Sequence, residues 1–231
     1  MDDYSGSIDW DQVYSAFHDP RGIADRIDRA LGDCASSVLF SGFPEVASCL
    51  ARERPLRFVD HSPVVCTRTQ ERYPEIRCVT EGEITKVLAN DSAQIVVIAC
   101  RVSAFWQSPQ MFVDLVFGLL SHPRKKVLID FFDRDAVSEG EMVAFGSAAG
   151  RGMWQFQAIR KVLFSVPPIY RASMNVSYEM GTTQLGYRAC RAYFRSVEVE
   201  TWFKERFPEY STTVSCPLLD GDPSFLIKLE L

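Results

Sequence analysis

SVLFSGFPEVASCLARERPLRFVDHSP, residues 37–63, is the segment from which the architecture can be predicted. It indicates a strand, a turn, a helix that begins at Pro44, and a second strand that is followed by Asp60 and, one residue later, by Ser-Pro. That succession is typical of a nucleotide site, where the ligand lies past the carboxyl ends of the strands. The turn carries one glycine, Gly42, where such sites usually carry two or three. The residues therefore indicate a nucleotide site with an altered first loop.

The same alternation continues along the chain. Short, wholly apolar runs are typical of parallel strands that are buried on both faces. Right-handed crossovers between such strands give an open, doubly wound sheet. The predicted strands are residues 37–40, 56–59, 76–79, 94–100 and 126–131, and the predicted helices are residues 44–54, 63–73, 83–89 and 109–120.

The pattern changes at both ends of this core. Residues 8–32 predict one or two amphipathic helices, and residues 154–164 predict another helix. Two strands, 175–180 and 185–194, are predicted around a turn at 181–183, followed by a helix at 199–207. The chain closes on a predicted antiparallel hairpin around residues 220–222.

Composition narrows the class of protein. The chain has 231 residues, 47% of them hydrophobic, and a net charge of −5, which argues against a general nucleic-acid binder. The seven cysteines include no CxxC pair, so we expect buried thiols in a reducing cytosol and no metal site. The acidic N-terminus does not resemble a signal peptide, and no long apolar run could span a membrane. We therefore expect a cytoplasmic protein with no membrane partner.

Five parallel strands followed by an antiparallel hairpin, with acid-x-Ser-Pro at 60–63, resemble the class I S-adenosylmethionine-dependent methyltransferases. The resemblance covers about residues 35–231. It implies a doubly wound, seven-stranded, Rossmann-like α/β fold, mostly parallel with a C-terminal antiparallel hairpin. It also implies S-adenosylmethionine as the cofactor, a helical lid at residues 1–32 and a binding domain at residues 33–231. In that family the acid that ends strand two accepts hydrogen bonds from both ribose hydroxyls, which would be the role of Asp60; the alternative is that Asp60 caps the next helix.

The resemblance implies further cofactor contacts around the same edge of the sheet. Glu45, in the first turn of its helix, would either stabilise that helix or meet the ligand's ammonium group. Arg101 is unexpected beside a sulfonium, because two cations repel. Ring faces such as those of Phe43, Phe105 and Phe132 stabilise a cation. The predicted cofactor-binding residues are Ser41, Gly42, Phe43, Asp60, His61, Glu83, Ile84, Cys100, Arg101 and Phe132.

Three residues are candidates for catalysis. Asp133 follows strand five, where a carboxylate could orient or deprotonate a nucleophile or could instead cap the next segment. Tyr178 and Asn175 could orient an amine. We expect methyl transfer to a small molecule of secondary metabolism, with residues 154–195 forming the wall of the acceptor site. One alternative is cyclisation of S-adenosylmethionine itself to azetidine-2-carboxylate, with release of methylthioadenosine. Another is a binding or scaffold protein without catalysis. The sequence leaves a homodimer open.

Overall fold

The computed structural model describes residues 18–32, 36–60, 62–79, 86–87, 91, 93–99, 108–147, 150–218 and 222–231. The strands in those ranges are β1 (Val38–Ser41), β2 (Leu56–Val59), β3 (Arg77–Val79), β4 (Ile95–Ile98), β5 (Lys126–Phe132), β6 (Met142–Ser147), β7 (Gly150–Lys161), β8 (Tyr170–Met180), β9 (Thr183–Tyr193), β10 (Ser211–Ser215) and β11 (Ser224–Glu230). The long helices are α1 (Pro20–Leu31), α2 (Pro44–Ala51), α3 (Pro63–Arg72), α4 (Pro109–Leu120) and α5 (Ser196–Arg206).

The main sheet has seven strands in the order β10-β11-β5-β4-β1-β2-β3. The strands from β5 to β3 run parallel, whereas β11 is antiparallel to both β5 and β10. The predicted α/β fold, with its mostly parallel sheet and C-terminal antiparallel hairpin, is confirmed. The carboxyl ends of the parallel strands consequently share one edge, which is where ligands bind in open sheets of this kind.

Two hydrophobic layers sandwich this sheet. Helices α4 and α5 cover one face with aromatic side chains such as Phe112 and Trp202, while α1 and α2 cover the other. Helix α1 buries Ile23, Ile27 and Leu31, which recur at helical spacing and therefore lie on one side of it. An ion pair to Asp28, in which Nε of Arg54 donates at 2.7 Å, fixes α1 near the end of α2. The lid role predicted for residues 1–32 stays a prediction.

A second sheet, of four antiparallel strands in the order β6-β7-β8-β9, is inserted between β5 and α5. It corrects the helix predicted at 154–164, because those residues belong largely to β7. Trp154 and Phe156, two residues apart, both lie on the buried face as strand residues do, but a register shift between Phe156 and Ala158 then turns Ile159 inward. The resulting spacing of apolar residues imitates a helix, since a bulge breaks the two-residue period. The two strands predicted at 175–180 and 185–194 are confirmed, with longer bounds.

The remaining secondary-structure predictions agree with the structure where it describes them. Most predicted helix and strand ends differ from the observed ones by a few residues, and those of β2 and α4 coincide with them. The helix predicted at 83–89 lies mostly outside the described residues. Within the described ranges, no helix has the length and apolar character needed to cross a membrane.

Candidate cofactor and active site

The candidate site lies at the carboxyl edge of the parallel strands. In the β1–β2 pair Phe40 lies opposite Phe58, and in the β1–β4 pair Ser41 lies opposite Ile98. Extending these registers by one or two residues places Gly42 level with Asp60 on one side and with Ala99 on the other. Three predicted ligand-binding residues, Ser41, Gly42 and Asp60, are thereby brought to the same end of neighbouring strands.

The first loop is packed tightly against its own strand. Ser41 is fully buried, and its carbonyl oxygen accepts a hydrogen bond of 2.9 Å from the N–H of Ala99. Its hydroxyl Oγ is also buried, and it has no hydrogen-bond partner among the described residues. A Cβ on Gly42 would lie 2.8 Å from Cζ of Phe40 and 3.0 Å from the carbonyl oxygen of Ala99. The single glycine of this turn is therefore needed where the chain passes over Phe40.

The start of α2 continues the loop. Phe43 precedes that helix, and its ring stacks on His18 with the ring centroids 5.5 Å apart and an interplanar angle of 14°. Glu45, in the first turn, is buried, and its Oε1 lies 3.7 Å from a guanidinium nitrogen of Arg72. The first-turn acid is thus paired with a cation on α3. The stacking of Phe43 on His18 places the segment that leads into α1 beside the first loop.

Asp60 directly follows β2 as the sequence predicts, and its carboxylate is oriented by the backbone. Its Oδ1 accepts a hydrogen bond of 2.8 Å from the N–H of Ser62, and the side chain is half-buried. The N-cap of α3 is Ser62, whose Oγ accepts from the N–H of Val65 at 3.5 Å. Beneath it, the thiol of Cys66 lies 3.9 Å from the carbonyl oxygen of Asp60, and burial raises the pKa of that thiol. Helix capping therefore belongs to Ser62, and Asp60 presents a fixed carboxylate at the strand end.

The end of β5 carries Phe132 and Asp133. The ring of Phe132 stacks on Tyr193 at 4.8 Å between centroids and meets the edge of Trp154 at 5.6 Å. The Oδ1 of Asp133 accepts a hydrogen bond of 3.0 Å from the N–H of Asp135. Burial raises the pKa of Asp133, the negative charge of Asp135 raises it further, and the hydrogen bond opposes both. A carboxylate with a raised pKa at this edge is suited to accepting a proton.

The second sheet brings Tyr178 toward this region but turns Asn175 away from it. Tyr178 lies on the buried face of β8, in the same hydrophobic cluster as Phe132, and its ring is 5.7 Å from that of Phe145. Asn175 is exposed on the opposite face of the sheet, where its Nδ2 donates to Oε1 of Gln155 at 3.4 Å. The structure therefore groups Tyr178 with Phe132 and does not bring Asn175 to them.

Several predicted site residues lie outside the described residues. They include the residue after Asp60, the predicted adenine contacts and the segment after β4 predicted to lie near the sulfonium. The roles of these residues stay predictions. The residues are His61, Glu83, Ile84, Cys100, Arg101 and Phe105.

The sequence predictions missed a charged cluster around Tyr170, beyond the end of β5. Its phenol donates to Oε1 of Glu198 at 3.1 Å, and the cationic groups of Arg134, Lys161 and Arg195 lie 5.2–5.9 Å from its ring centroid. Burial raises the pKa of Tyr170, and the charge of Glu198 adds to this effect. Four separate segments of the chain contribute these groups, so no local sequence pattern predicts the cluster.

Comparisons by sequence find no matching family model and no matching curated protein. Solved structures do match. DesVI of Streptomyces venezuelae is 15% identical with a TM-score of 0.67, over 96% of each chain. The CcbJ methyltransferase of Streptomyces caelestis is 12% identical with a TM-score of 0.67, over 95% of this chain and 94% of that one.

A third match carries the donor itself. S-adenosylmethionine-bound CalS10 of Micromonospora echinaspora is an amino pentose methyltransferase involved in calicheamicin biosynthesis. It is 12% identical with a TM-score of 0.64, over 96% of this chain and 94% of that one. At such identities a likeness shows the fold. The order of the strands and these three matches agree, and the chain has the fold of the class I S-adenosylmethionine-dependent methyltransferases.

Proposed function

We propose that the protein binds S-adenosylmethionine at the carboxyl edge of β1 and β2 and transfers its methyl group to a small molecule. The observation that carries this proposal is the grouping of Ser41, Gly42 and Asp60 at that edge. The buried hydroxyl of Ser41 has no partner in the part of the chain that the structure describes, and such a group costs free energy unless a ligand or water satisfies it. The residues present therefore suit a polar ligand that lies against the first loop.

Each of these residues would make a different contact. The two oxygens of Asp60 suit two neighbouring ribose hydroxyls, and the Ser62 N–H already fixes the plane of the carboxylate. The amino end of α2 favours the carboxylate of the methionine moiety, because unsatisfied N–H groups and the helix dipole meet there. The ion pair between Arg72 and Glu45 reduces the negative charge beside that carboxylate. Binding would thus rest on Asp60 and the start of α2 more than on a glycine-rich turn.

The sulfonium of the bound donor supplies an already activated methyl group. The protein's part is to align the acceptor and exclude water. Phe132 would face the site from the end of β5, and Asp133 would take the proton that a nucleophilic amine or hydroxyl loses. Because its pKa is raised, Asp133 accepts a proton from such a nucleophile more readily than an exposed aspartate would.

The second sheet supports a small acceptor. It adds β6–β9 beside the end of β5, and its inner face carries Phe145, Trp154 and Tyr178. An aromatic wall with few polar groups suits a small organic molecule. That CalS10 acts on an amino pentose supports an amine- or hydroxyl-bearing metabolite of secondary metabolism as the acceptor class. A homodimer stays a prediction, which gel filtration with light scattering would test.

The same aromatic wall favours one alternative. Phe132, Trp154 and Tyr178 are each almost completely buried in one cluster, and a reaction without an acceptor would not require this wall to open. Cyclisation of S-adenosylmethionine to azetidine-2-carboxylate needs only the donor, with Asp133 receiving the proton of its amine. The fold accommodates both reactions, and their products differ.

Incubation with S-adenosylmethionine, followed by mass spectrometry, separates these functions. Methyl transfer predicts no turnover with the donor alone, and S-adenosylhomocysteine once a panel of amino sugars and small amines or alcohols is added. Methylthioadenosine and azetidine-2-carboxylate from the donor alone would establish cyclisation instead. A thermal shift on donor binding with neither product would favour a binding protein, and no shift at millimolar donor would refute the proposed cofactor. Asp133→Asn serves as the control for catalysis, because it keeps the size of the side chain and removes the base.

A further inference from the structure

The connection between β7 and β8, residues 162–169, displays apolar side chains to solvent. We name it the apolar loop. Phe164 is 98% exposed, Leu163 78% and Val166 55%. Phe164 also has a φ of +61°, a left-handed conformation that a bulky residue rarely adopts. Exposed apolar groups that are adjacent in the chain, on a strained backbone, are a feature that function explains better than folding does.

The apolar loop is held in shape from within. Ser165 is buried, and its Oγ donates to the carbonyl oxygen of Val162 at 3.0 Å and accepts from the N–H of Ile169 at 2.8 Å. The N–H of Val162 donates to the carbonyl oxygen of Ile169, also at 2.8 Å. Ile169 is itself buried in the core beneath α4 and α5. The exposed side chains are therefore presented by a closed loop with an anchored base.

Three basic side chains lie on the two strands at that base. Arg160 lies directly opposite Arg171 across the β7–β8 pair, and both are exposed, as is Lys161. These three cations stand out in a chain whose net charge is −5. Apolar side chains at a tip, with cations behind them, match the layering of an anionic lipid surface, where headgroups overlie the acyl chains.

We propose that the apolar loop docks on an anionic membrane surface, with Leu163 and Phe164 entering the interface and Arg160, Lys161 and Arg171 meeting the headgroups. A second copy of the chain fits less well. A two-fold contact would set this basic rim against itself, because each patch meets its own copy. Three side chains also fall short of the roughly 800 Å² per partner that a stable protein interface buries. The inference departs from the expectation of no membrane partner, which rested on the absence of a long apolar run; a loop tip gives no such signal.

Sedimentation of the 231-residue chain with lipid vesicles tests the proposal. We expect binding to vesicles that contain phosphatidylglycerol, weaker binding to phosphatidylcholine alone, and a decrease as salt is raised. Phe164→Ser should lower the partition coefficient about tenfold, since it removes one large inserted side chain. Leu231→Ser is the matched control. Leu231 is also exposed, at 63%, but it lies outside the apolar loop, directly after β11, where its N–H donates to the carbonyl oxygen of Lys125.

Three results would overturn the proposal. They are no binding to anionic vesicles by the wild-type protein, equal binding by Phe164→Ser, and a dimer that Phe164→Ser converts to a monomer without any vesicle binding. The last result would assign the loop to self-association. Far-ultraviolet circular dichroism and the dissociation constant for S-adenosylmethionine should be unchanged in Phe164→Ser, so that loss of vesicle binding is not mistaken for misfolding.

Discussion

Replacing Gly42 with alanine tests how the first loop is built. The added Cβ would lie 2.8 Å and 2.9 Å from two ring atoms of Phe40, and 3.0 Å from the carbonyl oxygen of Ala99. Cβ atoms essentially never approach another heavy atom within 3.0 Å. Phe40 is fully buried and packs on Phe58, and the N–H of Ala99 is bound to Ser41. Neither neighbour can yield easily, so the loop itself must shift.

The expected cost follows from this crowding. Overpacking by one methyl group in a closed site costs about 1–3 kcal/mol of unfolding free energy. For a chain of this length that lowers the melting temperature by roughly 2–12 °C. Because the shift falls on the loop that carries the Ser41 hydroxyl, affinity for S-adenosylmethionine should fall about tenfold, the effect of one hydrogen bond misplaced.

Chemical denaturation gives the first quantity, and titration calorimetry with S-adenosylmethionine gives the second. Gly186→Ala is the matched control, because the nearest atom to its added Cβ is a carbonyl oxygen 3.9 Å away, an ordinary contact. We expect that control to resemble the wild type in both assays. If Gly42→Ala is as stable as the wild type and binds the donor equally well, the packing described for the loop is wrong.

Three further perturbations separate binding, catalysis and stability. Ser41→Ala should leave stability unchanged or slightly higher, because it removes a buried hydroxyl that has no partner among the described residues. It should also weaken donor binding in calorimetry, and unaltered affinity would remove Ser41 from the site. Burial raises the pKa of Asp133, so kcat/KM should fall as the pH drops through a value above the usual range of an aspartate. Asp133→Asn should lose most of the rate and also this fall of kcat/KM at low pH. If the fall survives the substitution, it belongs to another group. Arg124 is buried and donates to the carbonyl oxygens of Leu119, Asp91 and Ala93. Arg124→Met should therefore lower the free energy of unfolding in denaturant by about 3 kcal/mol or more, while donor affinity stays unchanged. A variant as stable as the wild type would contradict this structural role.

The main sheet was predictable because parallel strands leave a strong mark in sequence. β4 is buried along its whole length and reads as an unbroken apolar run, and Pro109 marks the start of α4. β7 was not predictable in the same way, because its register shift after Phe156 disturbs the alternation that identifies a strand. Long-range pairing with β6 and β8, rather than local preference, fixes that segment as a strand.

The site residues show the same difference between what a local pattern predicts and what long-range pairing fixes. Ser41, Gly42 and Asp60 could be placed from sequence, because the ends of neighbouring parallel strands meet by construction. Asn175 and Tyr178 were both predicted to orient an amine, yet residues three apart on a strand point to opposite faces. The pairing of Tyr170 with Glu198 joins segments 28 residues apart and follows only from the return of β8 and β9 to the main sheet.

Donor affinity of Asp60→Ala tests the central claim most directly. Calorimetric titration with S-adenosylmethionine should give a dissociation constant about tenfold or more above that of the wild type, since a pair of hydrogen bonds to a carboxylate is lost. Glu209→Ala, an exposed acid in the turn after α5, controls for the change in net charge. Equal affinity in Asp60→Ala and the wild type, or no binding by the wild type, would contradict a donor site at the ends of β1 and β2.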